Sequence, residues 1–272
     1  MKPERWDGPA LIGAYAGRPL AIVATGPSYE TFPRAALDGI PVFALNAAIT
    51  EFTEHADVTW ICHDLHKIWQ HNFRQRLRRY RRWRLVTRRV YVPGKFGAIA
   101  YRDVGGGRVP ARFPYVIDAA DLARVARLFW YAELPDQDGF LRAEETVLEI
   151  ALRVARAWGF GPVVIVGADL APVAGRAYAA PWAWKRCKIK PEKFRAMRGA
   201  LARGRPEFPR DTFLLAGAWN GAPFPVLDAA GACATLGVGA PRAGAVAPLG
   251  ASLGASGALP PGAAPLGAGG AP

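Results

Sequence analysis

The chain of 272 residues is long enough for one substantial core, and its 51% hydrophobic and 21% charged residues are ordinary for a globular protein. Its net charge of +13 points to an anionic partner, leaving nucleotide, nucleic acid and anionic glycan open. Three widely spaced cysteines, Cys62, Cys187 and Cys233, with no CxxC pair, exclude a disulfide framework and suit a reducing compartment. No apolar run reaches about 18 residues and the N-terminus lacks a signal-peptide core, so a cytoplasmic protein without a membrane span is expected.

The first predicted element is a buried strand over Leu20 to Ala24, which ends abruptly in Thr25, Gly26, Pro27 and Ser28. Further strands are expected at Pro41 to Leu45, Val58 to Cys62, Leu85 to Val92 and Tyr115 to Ile117. Before and across the fourth of these runs RQRLRRYRRWRLVTRR, with nine arginines from Arg74 to Arg89. That segment reads either as a solvated helix face or as a nucleic-acid surface of arginine forks interleaved with Tyr80 and Trp83. A helix is expected over Asp118 to Tyr131, where Leu122, Val125 and Phe129 recur at helical spacing behind Asp118 as N-cap. A second helix, Ala143 to Trp158, carries the apolar stripe Val147, Ala151, Val154 and Trp158, with Gly159 as its stop. It leads into a strand at Val163 to Val166. A helix at Pro191 to Arg203 and a last strand near Phe213 complete the pattern.

Strands alternating with helices predict an α/β fold, a Rossmann-like and mostly parallel sheet with helices on both faces. The folded domain is expected over residues 10 to 228. Residues 229 to 272 contain Arg242 as their only charged side chain and no aromatics, and are expected to be a disordered Ala/Gly/Pro-rich tail.

In open α/β sheets, ligands sit at the carboxyl ends of the strands, and several strand ends here carry chemistry. After the first come Gly26, Pro27 and Ser28, where glycine permits close backbone approach to a phosphate and serine can cap a helix or donate to an anion. After the second comes Asn46, whose amide can read a base or hydroxyl. His63, Asp64 and His66 follow the third. Gly167 and Asp169 follow the strand at Val163 to Val166. Each also has a plainer role as turn or cap residue. Asp64 with Asp169 is the economical carboxylate pair for Mg²⁺, while His63 or His66 could serve as a base. No P-loop or GxGxxG occurs, which disfavours a standard kinase, GTPase or NAD site.

The run ATGPSYE, then VFALNAAI, ADVTWICHD and much later GFGPVVIVGADL, resembles the family of 6-hydroxymethylpterin diphosphokinase-like proteins and motility accessory factors. More distantly it is similar to bacterial sialyltransferases that open with an NGPS turn. The resemblance covers roughly residues 18 to 172. It implies that Gly26, Pro27, Ser28 and Asn46 contact the nucleotide of an activated donor, with Asp64, Gly167 and Asp169 also at matching positions. The activity implied is a transferase, glycosyltransferase-like with a small-molecule or glycan acceptor. The alternatives are an ATP-dependent pterin-type diphosphokinase using Mg²⁺, and a non-catalytic basic nucleic-acid or nucleotide-binding protein. One departure is clear: sialyltransferases use a histidine base in the C-terminal half, whereas all four histidines here, His55, His63, His66 and His71, precede residue 72. The expected catalytic groups are therefore Asp64, His66 and Asp169. Around Gly175-Arg176-Ala177-Tyr178, where some members of the resembled families place polar catalytic groups, the chain offers Tyr178, Trp182, Trp184, Lys185 and Arg186.

Overall fold

The computed structural model describes residues 4–5, 11–52, 54–62, 83–87, 125–130, 135–136, 139–140, 146–182, 191–217 and 219–238. Its strands are β1 (Glu4–Arg5), β2 (Leu20–Val23), β3 (Val42–Leu45), β4 (Val58–Cys62), β5 (Trp83–Thr87), β6 (Val125–Trp130), β7 (Pro135–Asp136), β8 (Gly139–Phe140), β9 (Val163–Val166), β10 (Thr212–Leu215) and β11 (Val226–Leu227). The helices are α1 (Val147–Trp158), α2 (Pro191–Gly204) and α3 (Ala229–Thr235). Nine strands form one sheet in the order β1-β6-β5-β4-β3-β2-β9-β10-β11, and every neighbouring pair is parallel. The α/β, Rossmann-like architecture expected from the alternating pattern is the one observed.

The central strands read LAIV, VFAL and VVIV because both of their faces are covered. Ala21, Val23, Ala44 and Val166 point into a core shared with Tyr29, Trp182 and Cys233. Leu20, Ile22, Phe43 and Ile165 point the other way, onto α1, whose Leu152, Val154 and Trp158 are buried there. Burying each of those large side chains contributes roughly 1.5–3 kcal/mol, so α1 is held by its packing as well as by its own hydrogen bonds.

The start of α1 is set by a capping box. Thr146 Oγ1 accepts from the Leu148 N–H, and the Glu149 carboxylate accepts from the Thr146 N–H, both at 3.2 Å. Gly159 ends the helix in the left-handed region at φ 85°. The expected start at Ala143 falls outside the described residues, as does the expected strand Tyr115 to Ile117.

Three expectations require correction. The segment assigned to a helix over Asp118 to Tyr131 contains β6, which lies between β5 and β1 and pairs with both. A short apolar run such as VARLFW fits either period, and two neighbouring parallel edges supply partners for its backbone groups. β5, Trp83–Thr87, overlaps the strand expected over Leu85 to Val92 but begins two residues earlier, inside the arginine-rich run, so the helix-face reading does not hold there; it pairs with β4 and β6. The ordered chain also continues beyond residue 228. Asp228 caps α3 by accepting from the Gly231 N–H at 2.7 Å, and Ala232, Cys233 and Leu236 are buried. They join the core beside Val166, Trp182 and Leu215, so a helix without aromatics still buries apolar surface, which a composition argument based on missing aromatics overlooks. Residues 239 to 272 lie outside the described residues. Among the described residues, no helix is long and apolar enough to cross a membrane.

Candidate active site at the strand crossover

The chain runs outward from β2 through β3, β4, β5 and β6, then returns to place β9 on the other side of β2 and continues to β10. Adjacent β2 and β9, in register from Leu20↔Val163 to Val23↔Val166, therefore send their following loops in opposite directions. This is a topological switch point, where a parallel sheet opens a crevice at its carboxyl edge. An open cleft of about 150 Å³ lies there, lined by Thr25, Gly26, Asn46, Gly167, Asp169 and Tyr178, with Thr146 to Leu148 from the start of α1 and Phe194 and Met197 from α2. A volume of that size encloses a single ring, so a larger ligand would extend beyond these walls.

The structure brings together the expected Gly26, Asn46, Gly167 and Asp169. Gly26, Gly167 and Asp169 also carry a structural role there. The tips of β2 and β9 are joined backbone to backbone: the Ala24 N–H donates to Val166 O at 2.8 Å, and the Gly26 N–H to Gly167 O at 2.7 Å. A Cβ on Gly26 would stand 2.3 Å from Asp169 Oδ2 and 2.5 Å from Gly167 O. Gly167 combines φ +72° with a neighbouring carbonyl, Ala24 O, 2.5 Å from where its Cβ would be. Both glycines are needed where the two strand tips touch.

Ser28 does not line the cleft but stands behind Asp169. Its N–H (2.9 Å) and its Oγ (3.1 Å) both donate to Asp169 Oδ2, and the pair is buried, with Ser28 6% and Asp169 3% exposed. Pro27 opens the 3-10 turn Pro27–Thr31 and is also buried. The turn's other amides are engaged as well, since Gly26 donates to Gly167 O and Tyr29 donates to Gly26 O at 3.1 Å. The turn expected to hold phosphate through Ser28 is thus a structural joint: Asp169 pins it to the loop that follows β9. Neither Pro27 nor Ser28 is among the described residues of the cleft wall.

Asn46 remains suited to a ligand. It occupies the left-handed region at φ 50°, which asparagine tolerates better than most residues, and its carbonyl accepts from Trp60 Nε1 at 2.7 Å. Its side-chain Oδ1 is buried and has no partner among the described residues. Leaving such an acceptor unmatched costs about 1–3 kcal/mol, which a ligand donor would recover.

Sequence reasoning missed the strap that follows β9. Val173 and Arg176 pair as a bridge around Ala174 (φ 46°) and Gly175 (φ 75°), turning the chain back over the cleft. Arg176 grips Glu30 with two 2.9 Å bonds, and Glu30 also accepts from the Ala180 N–H at 2.6 Å. The Ala179 N–H donates to Thr25 O at 2.9 Å, and Trp182 Nε1 lies 2.9 Å from both Ala47 O and Thr50 Oγ1. The strap thereby ties together the tips of β2, β3 and β9. Burial would raise the Glu30 carboxyl, but hydrogen bonds from Arg176 and Ala180 together with the Arg176 charge outweigh it and hold Glu30 below its ordinary 4.5. Trp182, fully buried, belongs to this packing, while Tyr178 lines the cleft. The capping box and the apolar i, i+3 pair Phe194 and Met197 were the available signals for the cleft's other walls.

His63, Asp64 and His66 lie outside the described residues, as do Trp184, Lys185 and Arg186. Among the described residues no group of three metal-ligating side chains occurs. The described wall supplies one carboxylate, Asp169, already doubly bonded to Ser28, and its expected partner for Mg²⁺, Asp64, lies outside the described residues. Of the nine arginines in the basic segment, the described one is Arg84. It turns inward, donating to Thr59 Oγ1 (2.9 Å) and Tyr15 Oη (2.7 Å) and pairing with Asp57, so it forms no part of a nucleic-acid surface.

No family model, curated protein or solved structure matches the chain.

Proposed function

We propose that this chain is a transferase domain that takes a nucleotide-activated donor, glycosyltransferase-like, and holds the donor's nucleoside in the switch-point cleft. The carrying observation is the convergence of the β2, β3 and β9 tips on one cleft whose lining includes Asn46, a residue with an unmatched side-chain acceptor. An amino or hydroxyl group of a base or ribose matches that acceptor, and Leu45, Val147, Phe194 and Met197 supply the apolar wall a ring needs. In this reading Asp169 acts by position: it fixes the Gly26 turn against β9, so that the cleft is preorganised before the donor arrives. Asp64 and His66 follow Cys62, the last residue of β4, and are the proposed acid–base groups acting on a small-molecule or glycan acceptor.

The test is a thermal-shift series with CMP, UDP, GDP and ATP, each with and without Mg²⁺. Stabilisation by a pyrimidine or guanosine nucleotide supports glycosyl transfer. A shift confined to ATP with Mg²⁺ would replace it with the pterin-type diphosphokinase reading. Asn46→Ala should lower affinity for the bound nucleotide about 5- to 100-fold, the effect of losing one ligand hydrogen bond. Wild-type affinity in that variant would refute the assigned role of Asn46.

A further inference from the structure

Resting on the nucleotide reading above, we infer that Arg198 on α2 holds the donor phosphate at the mouth of the cleft. The cleft itself has no cation on its described walls, and its charged member is the Asp169 carboxylate, so its interior repels an anion. The first turn has no amide to offer between Gly26 and Tyr29, because three N–H groups are spent internally and Pro27 has none. The start of α1 also borders the cleft, yet Glu149 occupies its first turn and bonds the Thr146 N–H. That helix end is capped by its own carboxylate, which opposes a second anion. The strap also borders the cleft through Leu170, Ala171, Ala177 and Tyr178, but its arginine, Arg176, is bonded to Glu30; the remaining wall is α2.

On α2, Phe194 and Met197 face the cleft. Arg198 is four residues after Phe194 and adjacent to Met197, which puts it on the same side of the helix, one turn farther along. It is half-buried, and among the described residues no carboxylate pairs with it. Arginine's fixed fork of donors suits a phosphate oxygen pair. A nucleoside seated against Phe194 and Met197 could thus place its phosphate one turn along the same helix face, within reach of the guanidinium. Arg195 provides the internal comparison: it is exposed and stands about 100° around the helix from Phe194, with the same charge.

The test measures dissociation constants for cytidine, uridine, guanosine and adenosine beside CMP, UDP, GDP and ADP, using the full chain. Wild type should bind the matching nucleotide more tightly than its nucleoside. Arg198→Gln should weaken the nucleotide about 10- to 100-fold and leave the nucleoside unchanged. Arg198→Lys should recover part of the loss, and Arg195→Gln should stay within about twofold of wild type. An unchanged nucleotide-to-nucleoside ratio in Arg198→Gln, or equal weakening of both, overturns the inference while leaving the nucleotide reading intact. If wild type binds none of the eight compounds, the nucleotide reading falls and this inference with it.

Discussion

Replacing Asp169 tests the joint at the centre of the cleft. Its Oδ2 receives both the Ser28 N–H at 2.9 Å and Ser28 Oγ at 3.1 Å, in a site where Asp169 is 3% exposed. Asp169→Ala strands both donors. A buried unsatisfied donor costs about 1–3 kcal/mol. The hydroxyl can rotate to another acceptor and the backbone N–H cannot, so the total should be about 2–5 kcal/mol. Asp169→Asn retains an acceptor for Ser28 while losing the charge that strengthens both bonds, and should cost less, about 1–2 kcal/mol. Urea unfolding of both variants, of Ser28→Ala and of the Ser28→Ala/Asp169→Ala pair gives the coupling directly. That coupling should exceed about 0.5 kcal/mol, because the serine hydroxyl and the carboxylate lose one shared bond. A loss below about 1 kcal/mol in Asp169→Ala, or strict additivity with Ser28→Ala, would refute the claim that this carboxylate pins the turn.

Two further predictions concern titrating groups near the same turn. Burial, with a smaller push from Glu51 and opposition from Arg34, raises the Tyr29 phenol from 10.0 to about 12, and its Oη has no partner among the described residues. The fold favours the neutral phenol, so this contribution is whole below pH 10 and is lost as pH climbs toward about 12. Wild type should lose about 3 kcal/mol across that interval. Tyr29→Phe should match wild type at neutral pH and show a flatter alkaline limb in urea titrations; an unchanged limb would contradict the assignment. For Glu30 the sign is opposite: its folded value is depressed, so its contribution is present above 4.5 and disappears as pH falls through the folded value. Glu30→Gln should lower stability at neutral pH and weaken the acid dependence below 4.5, whereas parallel acid limbs would show that the Arg176 clasp adds nothing.

Strands buried on both faces were legible because a continuous apolar run with a β-branched bias and a glycine or polar stop has few other uses. Val58–Cys62 and Val163–Val166 match their expected limits, and Leu20–Val23 and Val42–Leu45 differ by one residue. The run at Val125–Trp130 was not legible. Its six residues suit both periods, and the deciding influence is pairing with β1 and β5, contacts distant in sequence that no local pattern records. The meeting of Gly26, Asn46, Gly167 and Asp169 could be anticipated from strand ends alone, since parallel strands place their carboxyl ends on one edge. The direction of Ser28 could not. Whether a serine after a Gly-Pro turn faces a ligand or a buried carboxylate depends on Asp169, 141 residues away.

That long-range bond changes what the GPS turn can mean in this chain. A turn that used its serine and amides on phosphate would need them unspent, yet here they join β2 to β9, and Glu30 in the same turn anchors the strap through Arg176 and Ala180. The turn therefore supplies rigidity, and ligand chemistry passes to groups the joint leaves available: the Asn46 acceptor on the wall and the side chains of α2 beside Phe194 and Met197. This division makes the two roles separable by substitution. Changes at Ser28 or Asp169 should first appear as lost stability, with binding reduced only as far as the cleft loosens. Changes at Asn46 or Arg198 should alter binding while the unfolding midpoint stays close to that of the parent chain.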